Sequence, residues 1–331
     1  MGDVAMTVPI IRAFSEQYPT VKITMVSRKF YLPFFKGIPN LSFFEMEEKD
    51  NHNGFFGLLQ MFADLRKLKI DAIADLHNVI RSKLIRILFA FGGKSVAHTD
   101  KGRKEKALLT QEKDKVFVPL KSMFERHLET FKALGFPIDL SRYHLPKKEI
   151  LSSGVLEVVN KKGTDNWIGI APFAQYESKI YPLDLMQIVI DNLAKLNNTK
   201  VLLFGGGSKE IELLNNLKST SENSIVIAGK LSLEQEMEVI SNLDVMLSMD
   251  SGNAHIAAML GVKTITLWGA THPYAGFNPF NQPLENALVS DRIQFPKLPT
   301  SVYGNKIVLG YEDVMRTILP EKVIAKVKQN L

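Results

Sequence analysis

The chain has 331 residues, 45% hydrophobic and 23% charged, with no cysteine. At roughly 150 residues per domain this length predicts two domains, each able to bury a core without staples, and the missing cysteine excludes disulfide frameworks, thiolate zinc sites and cysteine nucleophiles. The net charge of +6 is uneven: residues 1–150 carry 25 Lys and Arg against 17 Asp and Glu, and residues 151–331 carry 16 against 18, so a polyanion, an anionic membrane or a phosphorylated substrate is expected to meet the first half.

The first half alternates helix and strand patterns. Val4–Tyr18 has helical spacing, with Val4, Val8, Ile11 and Phe14 on one face. Val21–Val26 and Leu41–Phe44 read as strands, Phe55–Leu68 as a helix, Asp71–Leu76 as a strand and Ile80–Phe91 as a helix. Residues 143–166 are polar and broken by Pro146, Gly154 and Gly163, which predicts the domain boundary. The second half repeats the alternation. Strands are expected at 167–171, 201–204, 224–227, 244–248 and 263–268. Helices are expected at 183–196, 208–218, 232–241 and 253–260, with one or two more around Pro320. Alternation of this kind predicts α/β domains with parallel sheets covered on both faces, and a cleft between two such domains. No apolar run approaches the roughly 18 residues of a membrane span; Leu84–Gly92 is interrupted by Arg86. Asp3 and Arg12 stand where the apolar core of a signal peptide would lie, so a protein of a reducing compartment is expected.

Ligands of parallel sheets bind outside the carboxyl ends of strands, so the residues after each strand are the candidates. Asp250-Ser251-Gly252 precedes a helix and is either a simple cap or an anion site built from free N–H groups. His255 lies in that helix. Lys179 follows strand 167–171 and can place an ammonium on a phosphate. Gly205-Gly206-Gly207, followed by Glu210, makes a tight strand-to-helix turn but lacks the dinucleotide-binding spacing. Asp3, at the first helix start, is a cap or a carboxylate that accepts a hydroxyl proton. Lys101 to Lys106, with Arg103 and Lys104, is the densest basic run and has few aromatics, so nucleic acid is not the expected partner. The seven His are scattered and no metal-binding spacing occurs, so no metal is expected.

Together these segments resemble the family 9 glycosyltransferases, the lipopolysaccharide heptosyltransferases. Gly2-Asp3-Val4-x-Met6-Thr7-x-Pro9 is similar to the family's N-terminal signature. Ser178-Lys179-x-x-Pro182, Gly229-Lys230-Leu231-Ser232-Leu233 and Asp250-Ser251-Gly252-x-x-His255-Ile256-Ala257-Ala258 follow in order. Gly261 and Leu267-Trp268-Gly269-Ala270-Thr271-His272-Pro273 complete the C-terminal signature, and Asp75-Leu76-His77 with Arg81-Ser82 fits the acceptor-domain strand end.

The resemblance implies a GT-B fold of two Rossmann-like domains facing a cleft. Residues 1–155 would bind the acceptor and 156–310 the donor, and helices in 311–331 would cross back to the first domain. It implies an inverting, metal-independent transfer of heptose from ADP-heptose to a lipopolysaccharide core acceptor of the lipid A-Kdo type, without a cofactor. Asp3 would be the catalytic base. Lys179, Glu210, Asp250, Ser251, Gly252 and His255 would bind the donor, and His77, Arg81, Lys101, Arg103 and Lys104 the acceptor. A cytoplasmic protein, peripheral at the inner membrane, is expected. A GT-B nucleotide-sugar epimerase and a non-catalytic nucleotide-sugar-binding relative are the alternatives. Three departures stand out. The family has a hydrophobic strand before Gly-Asp, whereas here Met1 stands one residue before that pair, so the first sheet is expected to lack a strand. His272 replaces an Asp, and Tyr181 a Trp.

Overall fold

A computed structural model describes residues 1–48, 50–218 and 221–331. The apolar stretch after Gly2 folds as α1 (Gly2–Gln17), which is buried on most sides and carries Pro9 within it. There follow β1 (Ile23–Ser27), β2 (Leu41–Glu45), α2 (Gly54–Lys67), β3 (Ala72–Asp75), α3 (Ile80–Phe91) and β4 (Ser95–His98). Next come α4 (Arg103–Thr110), α5 (Met123–Ala133) and α6 (Ser153–Val159). The rest is β5 (Asn166–Ala171), α7 (Leu183–Ala194), β6 (Thr199–Leu203), α8 (Gly207–Leu217), β7 (Ser224–Val226), α9 (Leu233–Ser241), β8 (Val245–Met249), α10 (Gly252–Met259), β9 (Lys263–Trp268), β10 (Ala287–Val289) and α11 (Pro320–Gln329). The predicted elements are all present, with ends moved by a residue or two. β4, α4, α5, α6 and β10 were not predicted.

The chain divides into two compact units. One comprises Met1, Asp3–Arg103 and Lys121–His144; the other comprises Gly2, Lys104–Leu120 and Leu145–Leu331. The buried face of α4 and the segment after it pack with the second unit, where Lys106 lies buried with its ammonium 4.1 Å from the centre of the Phe277 ring. Residues 311–331 are part of the second unit: Val323 and Val327 of α11 are buried in its main core, and α11 packs on α7.

In the first unit β1 pairs in parallel with β2, and β3 with β4. Among the described residues the two pairs do not join into one sheet. One cluster spans both pairs: Met61 and Leu65 of α2 and Ile85 and Phe89 of α3 pack against Val26, Phe44, Ile73 and Val96, one from each strand.

The second unit has one six-stranded sheet in the order β10-β9-β8-β5-β6-β7, with every pairing parallel. Its strands are near-continuous apolar runs, as burial on both faces demands, and β8 is buried at every position. From β5 the chain winds outward to β6 and β7, then returns to lay β8 on the other side of β5. The carboxyl ends of β5 and β8 therefore flank the point where strand order reverses, which is where such sheets open for ligands.

Candidate active site

The reversal between β5 and β8 brings Lys179 and Asp250 together. Lys179 is in the segment after β5, and Asp250 is the first residue beyond β8. Their side chains are largely buried and meet at 2.9 Å, Nζ to Oδ2. The same Asp250 oxygen accepts a hydrogen bond from Thr271 Oγ1 at 2.9 Å. The aspartate is thus held by a cation and a hydroxyl at once, which makes it a fixed acceptor for further O–H donors. Ser251 and Gly252 follow directly and open α10. Ser251 is the N-cap residue, yet its side chain does not cap the helix; its hydroxyl is 3.1 Å from that of Ser248. The first-turn N–H groups are left without a side-chain acceptor from Ser251, beside the Lys179 ammonium, an arrangement suited to phosphate oxygens. His255, one turn further along α10, is buried.

A loop from the C-terminal part of the second unit shapes Lys179. Ser178 Oγ donates to the Gly304 carbonyl at 2.6 Å, and the Ser178 carbonyl accepts the Ala270 N–H at 3.0 Å. Gly304 has φ +85°, and a Cβ there would lie 2.5 Å from Lys179 Cδ. Glycine is required twice over, for the left-handed backbone and for the close approach.

The two departures in this unit have structural explanations. His272 is buried and takes over a capping role that suits Asp: its Nδ1 accepts the Tyr274 N–H at 3.1 Å. Burial, with Arg292 nearby, pushes its imidazole down to about 4. Tyr181 is fully buried and donates its hydroxyl to the Ile318 carbonyl at 2.6 Å, tying the start of α7 to the C-terminal segment. Glu210 is already engaged, since its Oε2 accepts the Gly206 N–H at 2.7 Å and closes the turn before α8.

In the first unit, Asp3, His77 and Lys101 converge. Asp3 is exposed in the first turn of α1, and its Oδ2 is 3.8 Å from His77 Nε2. The loops carrying His77 and Lys101 are stitched together. Asp75 Oδ1 accepts the N–H groups of His77 and Asn78, Asn78 Nδ2 donates to the Thr99 carbonyl at 2.8 Å, and Thr99 N–H donates to the Asp75 carbonyl at 3.0 Å. Partial desolvation lowers the Lys101 ammonium below its usual range, and Asp3 opposes that shift. Of the other acceptor candidates, Arg103 stands near Lys101 and Arg81 is engaged elsewhere. Arg81 is paired to Glu48 at 2.5 Å, which also holds Arg28. Arg103 and Lys104 are exposed at the start of α4, and Lys104 packs with the second unit. Sequence reasoning missed Thr271 as a partner of Asp250, Gly304 as the roof over Lys179, and Arg126. Arg126 is buried on α5 and donates to the Asp100 carbonyl at 3.3 Å, beside Lys101.

Among the described residues, no three His, Cys, Asp or Glu side chains converge as a metal site would require, and no helix is long and apolar enough to cross a membrane.

Two α/β units with parallel sheets, the second opening at its strand reversal, have the GT-B fold, as solved glycosyltransferase structures show. The chain superposes on the family 9 glycosyl transferase of Veillonella parvula with a TM-score of 0.75 at 20% identity, covering 100% of this chain and 94% of that one. It superposes on the ADP-heptose LPS heptosyltransferase II of E. coli with a TM-score of 0.66 at 20% identity, covering 99% and 95%. The lipopolysaccharide core heptosyltransferase OpsX of Haemophilus influenzae is 24% identical over 99% of this chain and 94% of its own length. The profile of glycosyltransferase family 9 (heptosyltransferase) matches residues 58–305. The chain belongs to that family, and it is a glycosyltransferase.

Proposed function

We propose that this protein is an inverting heptosyltransferase that moves heptose from ADP-heptose to a lipopolysaccharide core acceptor without a metal. The observation that carries this reading is the Lys179–Asp250–Thr271 group at the β5/β8 reversal. In this reading the diphosphate leaves as the glycosidic bond breaks, and its growing negative charge needs preorganised positive partners. The Lys179 ammonium and the α10 N-terminus at Ser251-Gly252 supply them. Asp250 would repel a phosphate, so it is assigned to sugar hydroxyls, with Thr271 fixing its direction. Asp3 takes the proton of the attacking acceptor hydroxyl, as a general base in a single displacement.

The charge distribution supports an anionic acceptor. Basic residues concentrate in the first half, and exposed Phe55, Phe56, Ile80 and Phe91 lie in the unit that carries Asp3. Basic and exposed aromatic residues together suit a lipid-linked substrate at an anionic membrane surface.

The test is ADP release from ADP-heptose with Kdo-bearing lipid A as acceptor, with UDP- and GDP-sugars as controls. Acceptor-dependent release of ADP with a heptosylated product supports the reading. Free isomerised sugar without acceptor indicates an epimerase, and donor binding without turnover indicates a non-catalytic relative.

A further inference from the structure

In the first unit several basic groups surround one carboxylate. Asp3 acts electrostatically on His77, on Lys101, on the buried His127 and on the first amino group. Of these, His127 is committed to the interior of the unit: its ring is buried and hydrogen-bonded to the backbone of Leu76. His77 is different. Its backbone is pinned by Asp75, yet 59% of its side chain is exposed, and its Nε2 lies 3.8 Å from Asp3 Oδ2. Packing does not account for a ring held in that place.

We propose that His77 is a positioning residue for Asp3, orienting its carboxylate toward the acceptor hydroxyl and carrying its proton onward to solvent. The proposal rests on the glycosyl-transfer reading above. The acceptor oxygen forms its bond to the anomeric carbon, and the bond from that carbon to the diphosphate oxygen breaks with its electron pair on the leaving group. The hydroxyl proton goes to Asp3, then to His77 Nε2, then to water. The present 3.8 Å is longer than a hydrogen bond and closes by a side-chain rotation or one bridging water.

The surroundings of the ring favour this role. It faces Asp3 from α1, Asp75 at the end of β3, Lys101 beyond β4 and the first amino group, while Arg103 and Lys83 stand near Lys101. Partial desolvation and Lys101 hold the imidazole below its usual range, against the pull of Asp3 and Asp75. This balance favours the neutral imidazole, whose free ring nitrogen can accept a proton.

The experiment uses the full chain with ADP-heptose and Kdo-bearing lipid A, comparing wild type with His77→Ala, His77→Gln and Asp3→Asn. His77→Ala is expected to lower kcat by about tenfold or more, with acceptor KM little changed, partial recovery on adding imidazole, and one ionisation lost from the acid limb of the pH profile. His77→Gln, which can hydrogen-bond but not carry a proton, is expected to stay slow. By NMR, the His77 titration is expected to move to lower pH in Asp3→Asn. A raised acceptor KM at unchanged kcat would overturn the relay and make His77 an acceptor ligand. Wild-type kcat in His77→Gln would overturn the proton transfer. Loss of turnover in Asp3→Asn with none in His77→Ala removes the relay alone, whereas full turnover in Asp3→Asn removes the base assignment beneath it.

Discussion

The two units follow the same strand-helix logic and reach different states of completion. The second closes six parallel strands into one sheet, with β5 buried at five of its six positions and β8 at all five. The first holds four strands as two separate pairs, and β1 is buried at only one of five positions, β3 at one of four. A parallel strand is stable when both edges are paired and both faces covered. The difference teaches that α2, α3 and α1, rather than a continuous ladder, hold the first unit together. It also divides the chemistry: a rigid sheet end presents Lys179 and Asp250, while stitched loops and a helix start present Asp3, His77 and Lys101.

The largest test of that division is a pair of substitutions. Asp3→Asn is expected to cut turnover by about 10²–10⁴-fold and leave ADP affinity unchanged by calorimetry. Lys179→Met is expected to cut turnover by about 10²–10³-fold and weaken ADP binding as well, because Asp250 is then left buried without its cation. Weakened ADP binding in Asp3→Asn would break the assignment of separate tasks to the two units.

Hydrogen exchange tests the contrast in closure. Amides of β1–β4 are expected to exchange roughly a hundredfold faster than those of β5, β6 and β8, equivalent to about 3 kcal/mol of local opening free energy. Equal protection would mean that the helix cluster around Met61 and Phe89 makes the first unit as cooperative as the second.

Gly304→Ala is a smaller perturbation aimed at one contact. The added Cβ meets Lys179 Cδ and occupies a left-handed backbone, so a cost of about 1–2 kcal/mol in stability is expected, with a raised donor KM as Lys179 is displaced. Thermal unfolding with and without ADP reads both effects.

What the sequence discloses follows the range of the interactions involved. Ile80–Phe91 and Lys263–Trp268 were legible end to end because their periods and flanking glycines are local signals. Lys179 and Asp250 were legible as residues just past strands, although their direct pairing depends on β8 returning beside β5, which no local pattern encodes. Thr271 stands within a signature segment, but its bond to Asp250, like the approach of Gly304 to Lys179, joins distant stretches of chain that no local pattern pairs. The start of α5 does carry a local signal: Ser122 and Glu125 form a capping box, with the Ser122 hydroxyl accepting from the Glu125 N–H and the Glu125 carboxylate accepting from the Ser122 N–H. β4 has four residues, too few for an alternation to register.

The smallest expected effect separates the units by pH. In the first, burial pushes His127 down to about 4. Its folded pKa lies below the unfolded value near 6.5, so the stability tied to its neutral form is present above about 6.5 and is lost as pH falls through about 4. In the second unit His272 behaves the same way, but burial pushes Glu236 on α9 up to about 7. The folded Glu236 binds its proton more tightly than the unfolded chain, so its contribution is fully present below about 4.3 and is lost as pH rises through about 7. Acidification therefore penalises the first unit without this offset. Both tryptophans, Trp167 and Trp268, are buried in the second unit, so their fluorescence reports that unit alone. In an acid titration, far-UV circular dichroism is expected to begin its change before tryptophan fluorescence does. Glu236→Gln is expected to stabilise the fluorescence transition by about 1–2 kcal/mol at pH 8 and by nothing near pH 4. Coincident transitions by both probes would show that the two units unfold as one cooperative body.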